Sequence, residues 1–310
     1  MGGNVRKGKM SIDKLRVEID TIDDQLIDLF ERRMQVALEV ARHKKESGRP
    51  VCDNVRERQL LHDVSGKVDT EFGVYTRVLF STLMDLSRSY QHKLLAGESK
   101  LRGAIGAAIE QTPKLFPERA VIACQGAEGA RAQAACDKLF VTPSIMYFNT
   151  FEGVFKAVGQ GLCRYGVLPI EDNSEGSVNA VYDLLRQHKV SIVRSARLQT
   201  GAPQDGGANY TRFICISSNL EIYPGANRTS LMLLIPHQSG SLYRVLMRFY
   251  ALDMSLMKIE SRPLQGRNFE FMFYFDVDAS IYSPALLQLI CELENQIPDF
   301  RYLGSYTEVV

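Results

Sequence analysis

The chain has 310 residues, 45% hydrophobic and 24% charged, with 37 Lys and Arg against 36 Asp and Glu. That length predicts two or three soluble domains, and a net charge of +1 gives no basic nucleic-acid footprint. The longest apolar runs are strand-sized, which excludes a membrane-spanning helix, and the basic stretch Met1 to Met10 has no hydrophobic run behind it. Cys52, Cys124, Cys136, Cys163, Cys215 and Cys291 are scattered without a CxxC pair. They read as reduced thiols of a cytoplasmic protein, not as a disulfide or zinc framework.

From Ser11 to Ser47 there is neither Gly nor Pro, and Leu15, Ile19, Ile22, Leu26, Leu29, Val36 and Val40 form a helical stripe. Gly48-Arg49-Pro50 ends that helix. A short helix is predicted over 55–64 and a third over 70–95. One very long helix with two shorter ones does not close a core alone, so the pattern predicts an intertwined all-α, three-helix dimer over 10–95. Residues 96–118, with Gly97, Gly103, Gly106, Pro113 and Pro117, read as a connector. From Ala120 the period changes. Strands at 120–124, 144–148, 165–170 and 190–197 alternate with helices at 130–139, 151–160 and 176–188, which predicts an α/β lobe with a parallel sheet over 119–220. A further strand, 211–217, follows the polar loop Gln199 to Ala208. After a break at Tyr223-Pro224-Gly225-Ala226, residues 227–310 read βαββαβ, a ferredoxin-like order. Ser283-Pro284 supplies a helix cap followed by Pro at the first helical position.

The helical part carries a charged constellation. Arg33 and Lys44, eleven residues apart, fall on one helix face. Arg16 lies about 25 Å from Arg33 along the axis, so one small ligand meets both only if Arg16 comes from another chain. Asp53, Arg56 and Glu57 belong to the second helix, and Ser87 and Gln91 to the third. The set suits a small dianion bearing a hydroxyl and an ether oxygen, and contains neither a metal site nor a nucleophile–base pair. By residue type alone it is equally a solvated helix face with ion pairs.

The residues Leu15-Arg16, Asp23, Leu26, Glu31-Arg32-Arg33, Val40, Lys44, Arg49-Pro50-Val51, Asp53, Arg56-Glu57-Arg58, Ser87 and Gln91 resemble the all-helical chorismate mutase family. The resemblance implies the pericyclic rearrangement of chorismate to prephenate. It assigns the two carboxylates to Arg33 and a second chain's Arg16, and the ether oxygen to Lys44 and Gln91. The ring hydroxyl goes to Glu57 near Asp53, the ring carboxylate to Ser87, and Arg56 organises the site.

Leu168-Pro169-Ile170-Glu171-Asp172-Asn173-Ser174-Glu175-Gly176-Ser177, Val181-Tyr182-Asp183-Leu184-Leu185 and Asn209-Tyr210-Thr211-Arg212-Phe213 resemble prephenate dehydratases. The resemblance makes Glu171, Asp172, Asn173, Ser174, Thr211 and Arg212 the site residues, with Thr211 the hydroxyl that assists loss of water. Three departures stand out. Only Gln199 to Ala208 spans an interval where that family carries a second lobe. Ala130-Arg131-Ala132 replaces hydroxyl-bearing and aromatic residues, and Asp172 replaces an Asn. Ser239-Gly240-Ser241-Leu242 and Glu260-Ser261-Arg262-Pro263 resemble the two effector motifs of an ACT domain, and imply a phenylalanine site.

Together these resemblances identify the chain with the bifunctional chorismate mutase/prephenate dehydratase family, with a reduced, inactive dehydratase lobe and a C-terminal ACT domain. The expected function is a chorismate mutase of phenylalanine biosynthesis. Two other readings are a fully bifunctional enzyme and a non-catalytic amino-acid sensor. Expected partners are chorismate, prephenate, L-phenylalanine as effector and a second copy in a homodimer or larger homo-oligomer. No cofactor, metal, nucleic acid or membrane is expected.

Overall fold

The computed structural model describes residues 11–47, 54–95, 99–174, 176–199, 209–264 and 270–310. The chain divides into two compact units, Met1–Gly97 and Glu98–Val310.

The first unit is helical: α1 Ile12–Glu46, α2 Asn54–Ser65, a 3-10 turn Thr70–Phe72, and α3 Gly73–Leu95. Basic residues His43, Lys44 and Lys45 close α1, where they complement the helix dipole. Among the described residues of this unit, the buried apolar side chains are Ala41, Val64 and Met84. The predicted stripe from Leu15 to Val40 is exposed along its whole length in the single chain.

The second unit contains two sheets. The strands are β1 Arg119–Gln125, β2 Thr142–Phe148, β3 Tyr165–Asp172, β4 Gly176–Ser177, β5 Ser191–Gln199, β6 Tyr210–Ser217, β7 Arg228–Ile235, β8 Ser255–Pro263, β9 Phe271–Asp278, β10 Arg301–Tyr306 and β11 Glu308–Val309. The helices are α4 Lys100–Gln111, α5 Arg131–Leu139, α6 Phe151–Gly159, α7 Asn179–Gln187, α8 Ser241–Ala251 and α9 Pro284–Gln296. The first sheet runs β11-β5-β6-β3-β1-β2, with β4 paired to β3. It is mixed rather than parallel, because β6 lies antiparallel between β3 and β5. The second sheet, β10-β7-β9-β8, is antiparallel throughout, the strand order of a split βαβ ferredoxin-like fold.

One face of the four-stranded sheet shares a core with the first sheet. Met232, Met272, Tyr274, Leu303 and Tyr306 pack with Leu168, Tyr182, Leu185, Ile192 and Ile214. Its other face is covered by α8 and α9, and also by α4, through Val245, Phe249, Leu289, Ile290 and Ile105. The predicted connector therefore contains a helix. Ser99 caps it by accepting a hydrogen bond from the Arg102 N–H, and Ile105 is fully buried. The Ser283 side chain makes no capping bond, so Pro284 alone marks the start of α9. Cys124, Cys136, Cys163, Cys215 and Cys291 are free and buried, while Cys52 lies outside the described residues.

Gly304, at φ +139°, is where β10 crosses β5: a Cβ there would stand 2.2 Å from the Ile192 carbonyl oxygen. Gly304→Ala should cost about 2 kcal/mol or more, combining a steric clash with a disfavoured backbone angle. Urea denaturation should show a lower midpoint at unchanged slope, and an unshifted midpoint would contradict this close approach.

Candidate active site

Of the predicted chorismate mutase residues in the first unit, Arg33, Glu57, Ser87 and Gln91 meet at α3. Ser87 and Gln91, one helical turn apart, are buried. Arg33, half-buried on α1, donates to the Leu83 carbonyl at 3.0 Å and to Ser87 Oγ at 2.6 Å. Gln91 Nε2 donates to the Ala37 carbonyl, one turn further along α1, at 2.9 Å. Burial lowers the pKa of Arg33, but a guanidinium keeps its charge. Glu57 in the first turn of α2 is half-buried and takes both carboxylate oxygens to Arg88 of α3. Lys44 is half-buried in the last turn of α1, and Arg56 is exposed. Arg16 stands apart near the start of α1, its side chain 70% exposed and 3.7 Å from Asp13. Asp53 lies outside the described residues. Sequence reasoning missed Arg88. The available signal was a cation directly after Ser87 and three residues after Asp85.

In the second unit, antiparallel register sets Glu171 beside Arg212 and Asp172 beside Thr211, so the six predicted dehydratase residues gather where β3 ends and β6 begins. Thr211 donates its hydroxyl hydrogen to Asp172 Oδ2. The Ser174 N–H donates to Asp172 Oδ1 at 2.9 Å, and Asn173 Oδ1 accepts from the Tyr210 N–H at 2.8 Å. Arg212 is buried, hydrogen-bonded to Asp276, with its Nε 3.6 Å from Glu171. Burial opposes its charge, but Asp276 and other nearby groups outweigh that and raise its pKa. A cleft of about 340 Å³ opens here, lined by Glu171, Asn173, Arg197, Tyr210, Arg212, Arg228 and Met257. Glu308 of β11 accepts from both Arg197, at 2.7 Å, and Arg228, at 3.1 Å.

Gly240 adopts φ +78° at the N-cap of α8, a left-handed position that favours glycine. Ser241 is buried behind it and accepts from Arg244 at 3.0 Å, while Ser239 is exposed and Leu242 half-buried. Pairing of Phe271 with both Ile235 and Pro263 sets the ends of β7 and β8 at one end of the sheet. Along β8, however, alternate residues turn toward the first sheet. Lys258 meets Glu171 at 3.0 Å, Glu260 accepts from Ser177 at 2.5 Å, and Arg262 meets Asp183 at 2.9 Å. Ser261 faces solvent between them.

Residues 15–92 match the type II chorismate mutase family, and residues 122–203 match the prephenate dehydratase family. A bifunctional chorismate mutase/prephenate dehydratase of Enterobacter agglomerans is 25% identical, covering 94% of this chain and 95% of that protein. That alignment runs over 383 positions against 310 residues here, so the relative carries stretches that this chain lacks. The X-ray structure of prephenate dehydratase from Streptococcus mutans is 26% identical, with a TM-score of 0.54 over 61% of this chain and 99% of that one. Prephenate dehydratase from Arthrobacter aurescens, solved in complex with L-Phe, shares the fold at 18% identity and a TM-score of 0.51, over 60% of this chain and 90% of that one.

The buried Arg212–Asp276 pair gives a direct test. Asp276→Leu leaves the guanidinium without its closest partner and should destabilise the protein by about 3–5 kcal/mol. Adding Arg212→Met should restore most of that loss in chemical denaturation. Two independent, additive losses would mean the pair is not coupled.

Proposed function

We propose that this chain, which carries a type II chorismate mutase domain ahead of a prephenate dehydratase domain in the order of its bifunctional relatives, acts in phenylalanine biosynthesis as a chorismate mutase whose dehydratase activity is lost. The observation that carries the mutase reading is the pair of bonds Arg33–Ser87 and Gln91–Ala37 within the family-matched segment.

The rearrangement is intramolecular and needs no proton transfer or covalent intermediate. The protein holds the compact conformer and stabilises charge on the breaking ether oxygen. Gln91 uses one amide hydrogen to fix its side chain on Ala37 and keeps the second for that oxygen. Lys44 supplies the cationic donor. Arg33, held by Leu83 and Ser87, retains further N–H groups for a carboxylate. Glu57 accepts from the ring hydroxyl. Arg16 completes the site of a second copy. The exposed stripe along α1 supports that pairing, since a helix of this length needs an apolar partner.

Two observations support loss of the dehydratase. Thr211 donates its hydroxyl hydrogen to Asp172, and Arg212 is engaged by Asp276 and Glu171. The short segment between β5 and β6 supplies no second lobe to exclude water from the cleft. The C-terminal βαββαβ part acts as an ACT domain, with phenylalanine as its effector near Gly240. The L-Phe complex of the Arthrobacter protein supports that assignment. Full bifunctionality is the second reading, favoured by the names of the relatives.

The purified protein should convert chorismate to prephenate, and Lys44→Ala should lower kcat by about 10²–10³, the loss of one preorganised donor. Near-full turnover in that variant would remove the assignment. Added prephenate should persist. Its rapid conversion to phenylpyruvate, abolished by Thr211→Ala, would establish the bifunctional reading instead.

A further inference from the structure

The structure assigns Arg88 as a positioning residue of the mutase site: its guanidinium holds the Glu57 carboxylate of α2 against α3. The inference rests on the mutase reading above and adds a residue that the family resemblance does not name. Arg88 directly follows Ser87 and lies three residues before Gln91, so it belongs to the same stretch of α3 that organises the site. Its Nη1 faces both oxygens of Glu57, and its Nη2 faces Asp85 Oδ1. All three side chains are about three-quarters buried or more, so solvent screens the contact only partly.

The geometry explains why a charged contact is needed there. The first turn of α2 offers no apolar anchor: Val55 is 71% exposed, and the buried apolar residue of α2, Val64, lies at its far end. The guanidinium is therefore what sets the register of Glu57 on α3. Asp85, one turn earlier on α3, aims the guanidinium across to α2. A carboxylate has about four acceptor positions, so two hydrogen bonds from Arg88 leave room for a ligand hydroxyl. Lys presents one point charge in place of the planar fork and should orient Glu57 less well.

The test is a double-mutant cycle on the full-length protein, following chorismate consumption. Arg88→Met should lower kcat between about 10- and 100-fold with little change in KM, the size expected for a misplaced catalytic contact. Arg88→Lys should recover part of that loss. In a Glu57→Ala background, Arg88→Met should add little further loss, because the group it positions is gone. Multiplicative effects of the two substitutions, or wild-type kcat in Arg88→Met, would overturn the assignment while leaving the mutase reading intact. A wild-type protein that does not consume chorismate would overturn both. If Arg88→Met fails to fold, as judged by circular dichroism, Arg88→Lys completes the same cycle with the same two outcomes.

Discussion

A guanidinium buried where two sheets meet sets the arrangement of the second unit. Removing a charge from water costs several kcal/mol unless partners replace the lost hydration. Arg212 of β6 takes Asp276 from β9 and Glu171 from β3. Asp276 also accepts from Ser230 of β7, whose hydroxyl meets Tyr306 of β10 at 2.7 Å. Lys258 of β8 neutralises the other side of Glu171. Every strand of the four-stranded sheet thus contributes to one polar network, and displacing either sheet would strand a charge. The same network includes Glu171 and Arg212, two of the predicted dehydratase residues.

The β8 seam extends this constraint. Because side chains alternate along a strand, Lys258, Glu260 and Arg262 all point toward the first sheet and its helices, while Ile259 and Ser261 face outward. A movement of β8 is therefore felt by Glu171, Ser177 and Asp183 together. Glu308 does similar work at the other edge: gripped by Arg197 and Arg228, it brings the C-terminal strand onto β5 and ties the end of the chain to the first sheet.

The first unit is built on the opposite principle. It buries few apolar side chains within one chain, and its helices are registered by polar contacts from α3: Ser87 and Gln91 to α1, Arg88 to α2. Such contacts specify geometry but contribute modest net stability. The apolar stripe of α1 stays exposed in the single chain, so it adds little packing to that unit.

The sequence alone determined most of the helices and strands, because the period of apolar residues reports which face of an element is buried. Leu15 to Val40 carry the helical period, and β1, β2, β3, β5 and β6 fall on the short apolar runs at 120–124, 144–148, 165–170, 190–197 and 211–217. Family resemblance singled out Arg33, Ser87, Gln91, Thr211 and Arg212 as candidate site residues. What the sequence left open is what each buried face packs against. Gly103 and Gly106 lower helix propensity, so α4 was legible only as a connector, until burial of Ile105 against the four-stranded sheet outweighed that cost. Strand direction is not encoded in the period, so the antiparallel insertion of β6 emerged only from the pairing. The partners of Glu57, Arg212, Glu260 and Arg262 lie 31 to 83 residues away in the chain. Which charges meet across such distances is decided by packing, since the cost of an unpaired buried charge selects among arrangements only once the elements have come together.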